Sequence, residues 1–209
     1  MRRGNFIVLE GCEGAGKTSV AEFLREKLET RDVLFTREPG GTPLAEKIRA
    51  VMISPEATET SAETQFALAF AARFDHAKRV ILPALAKGGN VVSERFDSST
   101  YAYQIVGQNA PQLKKLFFEF RGLLGDCVPD LYIFLDVDPA EGLKRMWCNT
   151  KKKEPIDQFE RRDLAFHSRV REGLIEFFKT VPSVTIDASR PFEAVKKEAL
   201  GIIRAHISR

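Results

Sequence analysis

The chain is poor in cysteine, with 3 among 209 residues. Cys12, Cys127 and Cys148 stand far apart, with no C-x-x-C pair and no Cys/His cluster, so neither a disulfide framework nor a zinc site is expected. Long apolar runs are missing too. Phe6-Ile7-Val8-Leu9 stops at Glu10, short of the ~7–15 apolar residues of a signal peptide, and no segment approaches the ~18 that span a bilayer. Nor is charge of one sign in excess. Lys and Arg number 32 against 29 for Asp and Glu, a formal net charge of +3, too small a surplus to mark a nucleic-acid stripe. Internal repeats, low-complexity tracts and linker-like composition are absent. The expectation is a cytoplasmic protein with neither membrane nor nucleic acid among its partners.

What is present is ordinary globular material: 44% of residues are hydrophobic and 29% charged. A chain of this size buries roughly 70% of its unfolded surface and needs no staple. Because α/β folds run to ~200–250 residues undivided, one domain over 1–209 is expected. Five short apolar runs, at 5–10, 32–36, 90–94, 131–136 and 184–187, lack polar alternation and read as strands buried on both faces of a parallel sheet. Helical patterns lie between and after them, at 17–29, 43–52, 62–87, 111–124, 139–147, 159–179 and 191–206. Pro83 predicts a kink in the third of these. Strands alternating with helices mean an α/β fold with right-handed crossovers. The polar stretch 148–157, with Lys151-Lys152-Lys153, reads as a mobile excursion.

The strongest chemical signal is Gly11-Cys12-Glu13-Gly14-Ala15-Gly16-Lys17-Thr18, a G-x-x-x-x-G-K-[ST] loop directly after the first strand and opening the first helix. Glycines let successive backbone N–H groups converge on a phosphate, and the helix N-terminus adds partial positive charge. Lys17 then reaches the β- and γ-phosphates of ATP and the Thr18 hydroxyl sits on Mg2+. The pattern is not the G-x-G-x-x-G of a dinucleotide site. The D-x-x-G and N-K-x-D of a switch GTPase are absent. A small kinase instead needs a second phosphate site and a lid that excludes water, and this chain has material for both.

With that loop, Thr36-Arg37-Glu38-Pro39-Gly40-Gly41-Thr42, the stretch from Glu94-Arg95-Phe96 through Ala102-Tyr103-Gln104, Pro129-Asp130-Leu131, and the stretch from Phe166-His167-Ser168 to Gly173 together resemble the bacterial thymidylate kinase family, over nearly the whole chain. The resemblance implies a P-loop nucleoside monophosphate kinase fold: a five-stranded parallel sheet of order 2-3-1-4-5 flanked by helices, with a short lid at about 148–160. It implies transfer of the γ-phosphate of ATP to dTMP, giving dTDP, with Mg2+, in a homodimer. Another pyrimidine nucleoside monophosphate kinase and a catalytically silent nucleotide-binding regulator are the alternative readings.

Carried over residue by residue, the resemblance places Glu13 against the acceptor sugar and Arg37, Glu38 and Pro39 in a constrained turn beside the acceptor. Arg49 and Arg95 become the grips on the acceptor phosphate, since a guanidinium fork gives two bonds to one phosphate and keeps its charge. Arg73 faces the acceptor base. The Phe that stacks on the base usually stands four residues before that Arg; here that position is Ala69, and Phe66 or Phe70 is the substitute. Ser99, Thr100, Tyr103 and Gln104 line base and sugar, the Tyr103 ring leaving no room for a 2′-hydroxyl. Glu94 replaces the usual Asp and joins Thr18 at Mg2+. Arg145 and Arg190 belong to the donor side. The usual lid sequence D-R-[FI]-E has become Asp157-Gln158-Phe159-Glu160, so either another cation, from Lys151, Lys152, Lys153, Arg161 or Arg162, serves or transition-state stabilisation is weaker. His76, His167 and His206 read as structural.

Overall fold

The computed structural model describes residues 2–29, 32–148 and 157–207. Strands β1 (Phe6–Gly11), β2 (Val33–Arg37), β3 (Asn90–Glu94), β4 (Leu131–Asp136) and β5 (Ser183–Asp187) form one all-parallel sheet in the order β2-β3-β1-β4-β5. That is the order and the class expected. Helix α1 (Lys17–Lys27) leads from β1 across β3 to β2, whereas the connection after β3 crosses β1 to reach β4. The chain therefore leaves the C-terminal ends of β1 and β3 in opposite directions, and the crevice opened there is where open α/β sheets bind ligands.

The pleat sorts β1 between two cores. Phe6 and Val8 join an aromatic cluster with Phe66, Phe70, Phe96, Phe117, Tyr132 and Phe177, while Ile7 and Leu9 join an aliphatic one with Val20, Leu24, Ile133 and Ile203. Burial on both faces holds for the inner strands β1 and β4. It fails for β2 and β5, which are mostly half-buried or exposed because each is a sheet edge with one flank open.

The remaining helices are α2 (Pro43–Ile53), α3 (Ala62–His76), α4 (Leu82–Ala86), α5 (Asp97–Thr100), α6 (Leu113–Gly122), α7 (Pro139–Trp147), α8 (Leu164–Phe178) and α9 (Phe192–Ile207). The run 62–87 is not one helix. Pro83 has no N–H to donate and its ring crowds the carbonyl four residues back, and a π-helical turn at Ala77–Ile81 opens the ladder there. The helix expected from 159 starts at Leu164 instead, where Asp163 caps it by accepting from the Phe166 N–H at 2.8 Å. Unforeseen were α5 and the π-helical segment Tyr101–Gly107 after it; the Ser-Ser-Thr run carries no apolar period to announce a helix.

Candidate active site

β1 ends at Gly11 and α1 begins at Lys17, with Gly14 and Gly16 at φ of 70° and 88° in the turn between. These left-handed values suit glycine. Gly16 caps α1 without a side-chain acceptor, so the first-turn N–H groups face the loop uncapped and suit an anion. The Lys17 ammonium folds back over the loop and donates to the Gly11 and Cys12 carbonyls at 2.9 and 2.8 Å. Burial pulls its pKa down, and the neighbouring Arg95 adds to that. Burial also pushes the Cys12 thiol up to about 12, which keeps it protonated.

Beside the loop, Glu10 is fully buried yet accepts four bonds: from the Gly11 N–H at 2.9 Å, Ser98 at 2.8 Å, Ser99 at 2.7 Å and Arg95 at 3.2 Å. Arg95, at φ 64° just past β3, turns its other nitrogen to Glu13 at 2.6 Å and lies 5.0 Å over the Tyr103 ring. The Tyr103 hydroxyl donates to the same Glu13 oxygen at 2.7 Å. Burial acts to raise the Glu13 pKa, but Arg95 and Lys17 outweigh it and hold the carboxyl at about 2. Arg95 is thus a fixed, permanently charged fork at the loop mouth. Thr18 Oγ1 donates to Glu94 at 2.8 Å, bringing together the two residues expected at Mg2+. A hydroxyl and a carboxylate are hard oxygen ligands, and Mg2+ ordinarily takes one or two such groups plus water and phosphate oxygens. The pair therefore fits that ion, and no cage of three or more His, Cys, Asp or Glu exists among the described residues.

On the far side of Arg95 lies a second node. Glu38, before a cis peptide bond to Pro39, is buried and accepts from Arg73 Nε at 2.8 Å. Its other oxygen meets His76 at 3.0 Å, whose remaining ring nitrogen meets Thr36 at 2.7 Å. Arg73 donates further to the Phe96 carbonyl at 2.9 Å and Thr100 at 3.1 Å, between the rings of Phe70 and Phe96. Its Nη1 is buried without a partner. Phe66 and Phe70 are both inside the aromatic cluster, and Phe66 is walled in by Phe70 and Phe120. Of the two, Phe70 is the one that borders Arg73. Gln104 is buried next to Tyr103. Arg49 is half-buried on α2.

Several expected residues have other occupations. Arg37 is paired with Glu46 at 3.0 Å. Arg145 bonds Glu141 at 3.0 Å and the Ala188 carbonyl at 2.8 Å, tying α7 to the loop after β5. Arg190 lies on that loop, exposed and paired with Glu198. Lys151, Lys152 and Lys153 fall outside the described residues. Gln158, where the family's lid Arg usually stands, is buried and donates to the Met52 carbonyl at the end of α2, at 2.8 Å. Arg162 is committed to the Thr58 carbonyl at 3.1 Å.

Two contributors escaped sequence reasoning, Glu10 and Asp97, and His76, expected as structural, has a specific partner. Glu10 counted only as the end of an apolar run, although an acid closing a buried strand is itself a signal. His76 positions Glu38. Asp97, the first residue of α5, is buried and accepts from Arg121 and Tyr132, each at 2.6 Å.

A family model described as thymidylate kinase matches residues 9–199. Thymidylate kinase of Pseudomonas fluorescens is 40% identical over 198 residues, covering 93% of this chain and 92% of that one. That of Caulobacter vibrioides is 41% identical over 199 residues, covering 93% of each. The crystal structure of thymidylate kinase from Ehrlichia chaffeensis superposes with a TM-score of 0.73 at 27% identity, covering 97% of this chain and 99% of that one. With the P-loop, the 2-3-1-4-5 sheet and a match across nearly its full length, this chain belongs to the thymidylate kinase family.

Proposed function

We propose that this chain transfers the γ-phosphate of ATP to dTMP, giving dTDP. The observation that carries this reading is the Arg95–Glu13–Tyr103 cluster fixed at the mouth of the P-loop beside Lys17. An acceptor phosphate is already an anionic nucleophile, so catalysis reduces to positioning and neutralising charge. Lys17 leaves its two carbonyl partners for the β- and γ-phosphates. Arg95, held from behind by Glu10, grips the acceptor phosphate together with Arg49. Glu13 accepts from the sugar 3′-hydroxyl, and the Tyr103 ring fills the space of a 2′-hydroxyl. The unpartnered Arg73 Nη1 donates to the 4-oxo group of thymine. Ser99, Thr100 and Gln104 complete that wall. Thr18 and Glu94 would hold Mg2+, which would supply positive charge against that of the transferring phosphate. A lid cation from Lys151, Lys152 or Lys153 covers the transferring group, Arg145 is a further phosphate contact, and the loop bearing Arg190 wraps the donor base.

The protein works as a homodimer in the cytoplasm. Leu44 and Val51 are large, exposed apolar residues seven apart on α2, hence on one stripe, which supports a partner there. Among the described residues no helix is long and apolar enough to cross a membrane. A coupled ADP-release assay with dTMP, dUMP, dCMP and AMP tests the reading. Turnover should be highest with dTMP and nearly absent in Lys17→Ala at an unchanged melting temperature. Preference for another acceptor, or ATP binding without turnover, would replace it with one of the alternatives.

A further inference from the structure

The P-loop and the first turn of α7 meet backbone to backbone. A Cβ on Gly142 would stand 2.3 Å from the Glu13 carbonyl oxygen, and a Cβ on Gly14 would stand 1.9 Å from the Gly142 carbonyl oxygen. Ordinary carbon–oxygen approaches are ~3.3 Å or more. Both sides are peptide groups, with no rotamer to swing aside. At Gly14 the positive φ gives glycine a second reason. At Gly142 there is none: the residue lies within α7 at the end of its first turn, where glycine is less favourable than alanine by up to about 1 kcal/mol. Only the close approach accounts for it.

The placement of α7 gives the contact its meaning. Asp138 caps its start, accepting from the Ala140 N–H at 2.9 Å. Its last residue is Trp147, and the chain then runs into the lysine-bearing segment. One end of α7 therefore rests on the loop that takes the donor phosphates, and the other end carries Trp147.

We infer that Gly142 is a positioning residue that keys α7 to the P-loop, so that loop and helix shift as one body when donor phosphates bind. The inference rests on the proposed kinase reading for its catalytic consequence, and on the P-loop alone for its mechanical one. Alanine at 142 has to push the Glu13 carbonyl back by about 1 Å to restore an ordinary contact. That moves the residue whose side chain holds Arg95 at 2.6 Å. Misplacement on that scale costs about 100-fold in rate.

The test compares Gly142→Ala with Gly201→Ala, whose added Cβ on α9 meets nothing within 4 Å. The single tryptophan, Trp147, is exposed at the end of α7 and reports its environment. A non-hydrolysable ATP analogue is titrated alone while Trp147 emission is followed and binding is measured by calorimetry. In the unaltered chain emission should change in step with binding, and hydrogen exchange should slow at 12–18 and 139–147 together. Gly142→Ala should still bind the analogue but lose the Trp147 response, with kcat down about 100-fold; Gly201→Ala should match the parent. Gly142→Ala folded and active within about twofold of the parent would overturn the inference. So would protection of 12–18 with 139–147 unchanged, a result read on the unaltered chain even if the variant does not fold. These analogue arms do not involve an acceptor, so a chain that ignores dTMP yet couples P-loop to α7 would refute the kinase reading and leave the key standing.

Discussion

Glu38→Gln is the perturbation whose size the structure defines best. Glu38 and Arg73 are each nearly fully buried and 2.8 Å apart, with the Phe70 and Phe96 rings over the guanidinium. Removing one partner of a buried pair leaves an uncompensated charge and costs about 3–5 kcal/mol. Glutamine keeps the shape and still offers an oxygen to Arg73 Nε, so the lower end applies, about 3 kcal/mol. At roughly 2–4 °C per kcal/mol for a chain of this length, the melting temperature should fall by about 6–12 °C. Reversible urea unfolding gives the free energy and calorimetry the temperature. The control is the double variant Glu38→Gln, Arg73→Met, in which an apolar side chain replaces the cation. It should recover part of the loss, because the second substitution removes the buried charge left uncompensated by the first, and the coupling between the two sites should exceed about 1 kcal/mol. A single-variant loss below about 1 kcal/mol, or strict additivity in the double, would refute the claim that Glu38 compensates Arg73.

Glu13 carries a pH signature. Its carboxyl is held down from the ordinary 4.5 to about 2, so it contributes stability that is complete above pH ~4.5 and lost as pH falls through ~2, on the order of 3 kcal/mol; Glu13→Gln should remove that slope in acid unfolding curves. Replacing Lys151, Lys152 and Lys153 together with Ala should lower kcat more than it raises either KM, because a lid cation matters most as charge spreads in the transition state; a change confined to the KM for ATP would reduce the cluster to steering. For acceptor choice, dTMP should exceed dCMP at least tenfold in kcat/KM, since an amino group facing Arg73 Nη1 leaves a buried donor unmet at roughly 1–3 kcal/mol. Tyr103→Phe should keep the preference for a deoxy sugar and Tyr103→Ala relax it; equal relaxation by both would mean the hydroxyl, not the ring, excludes the ribose.

The P-loop was fully legible in the sequence because its chemistry is local. Eight consecutive residues supply the turn, the converging N–H groups and the lysine, and nothing distant is needed to recognise them. The five strands and the longer helices were legible for the same reason, since an apolar run or a 3.6-residue period is a property of neighbours along the chain. The sheet order came from likeness to a family, not from periodicity, which cannot order parallel strands. Tertiary structure alone decided the rest. Parallel pairing of β2 with β3 sets Arg37 beside Glu94 and brings the turn at Glu38 against α3, closing the bonds of Arg73 and His76 to a carboxylate 35 and 38 residues away. The same packing turned Gln158 to the end of α2 and pressed Gly142 onto the P-loop across more than a hundred residues. A side chain's type is written in the sequence, but its partner depends on which strand ends the crossovers bring together, and burial then makes that partner's absence costly.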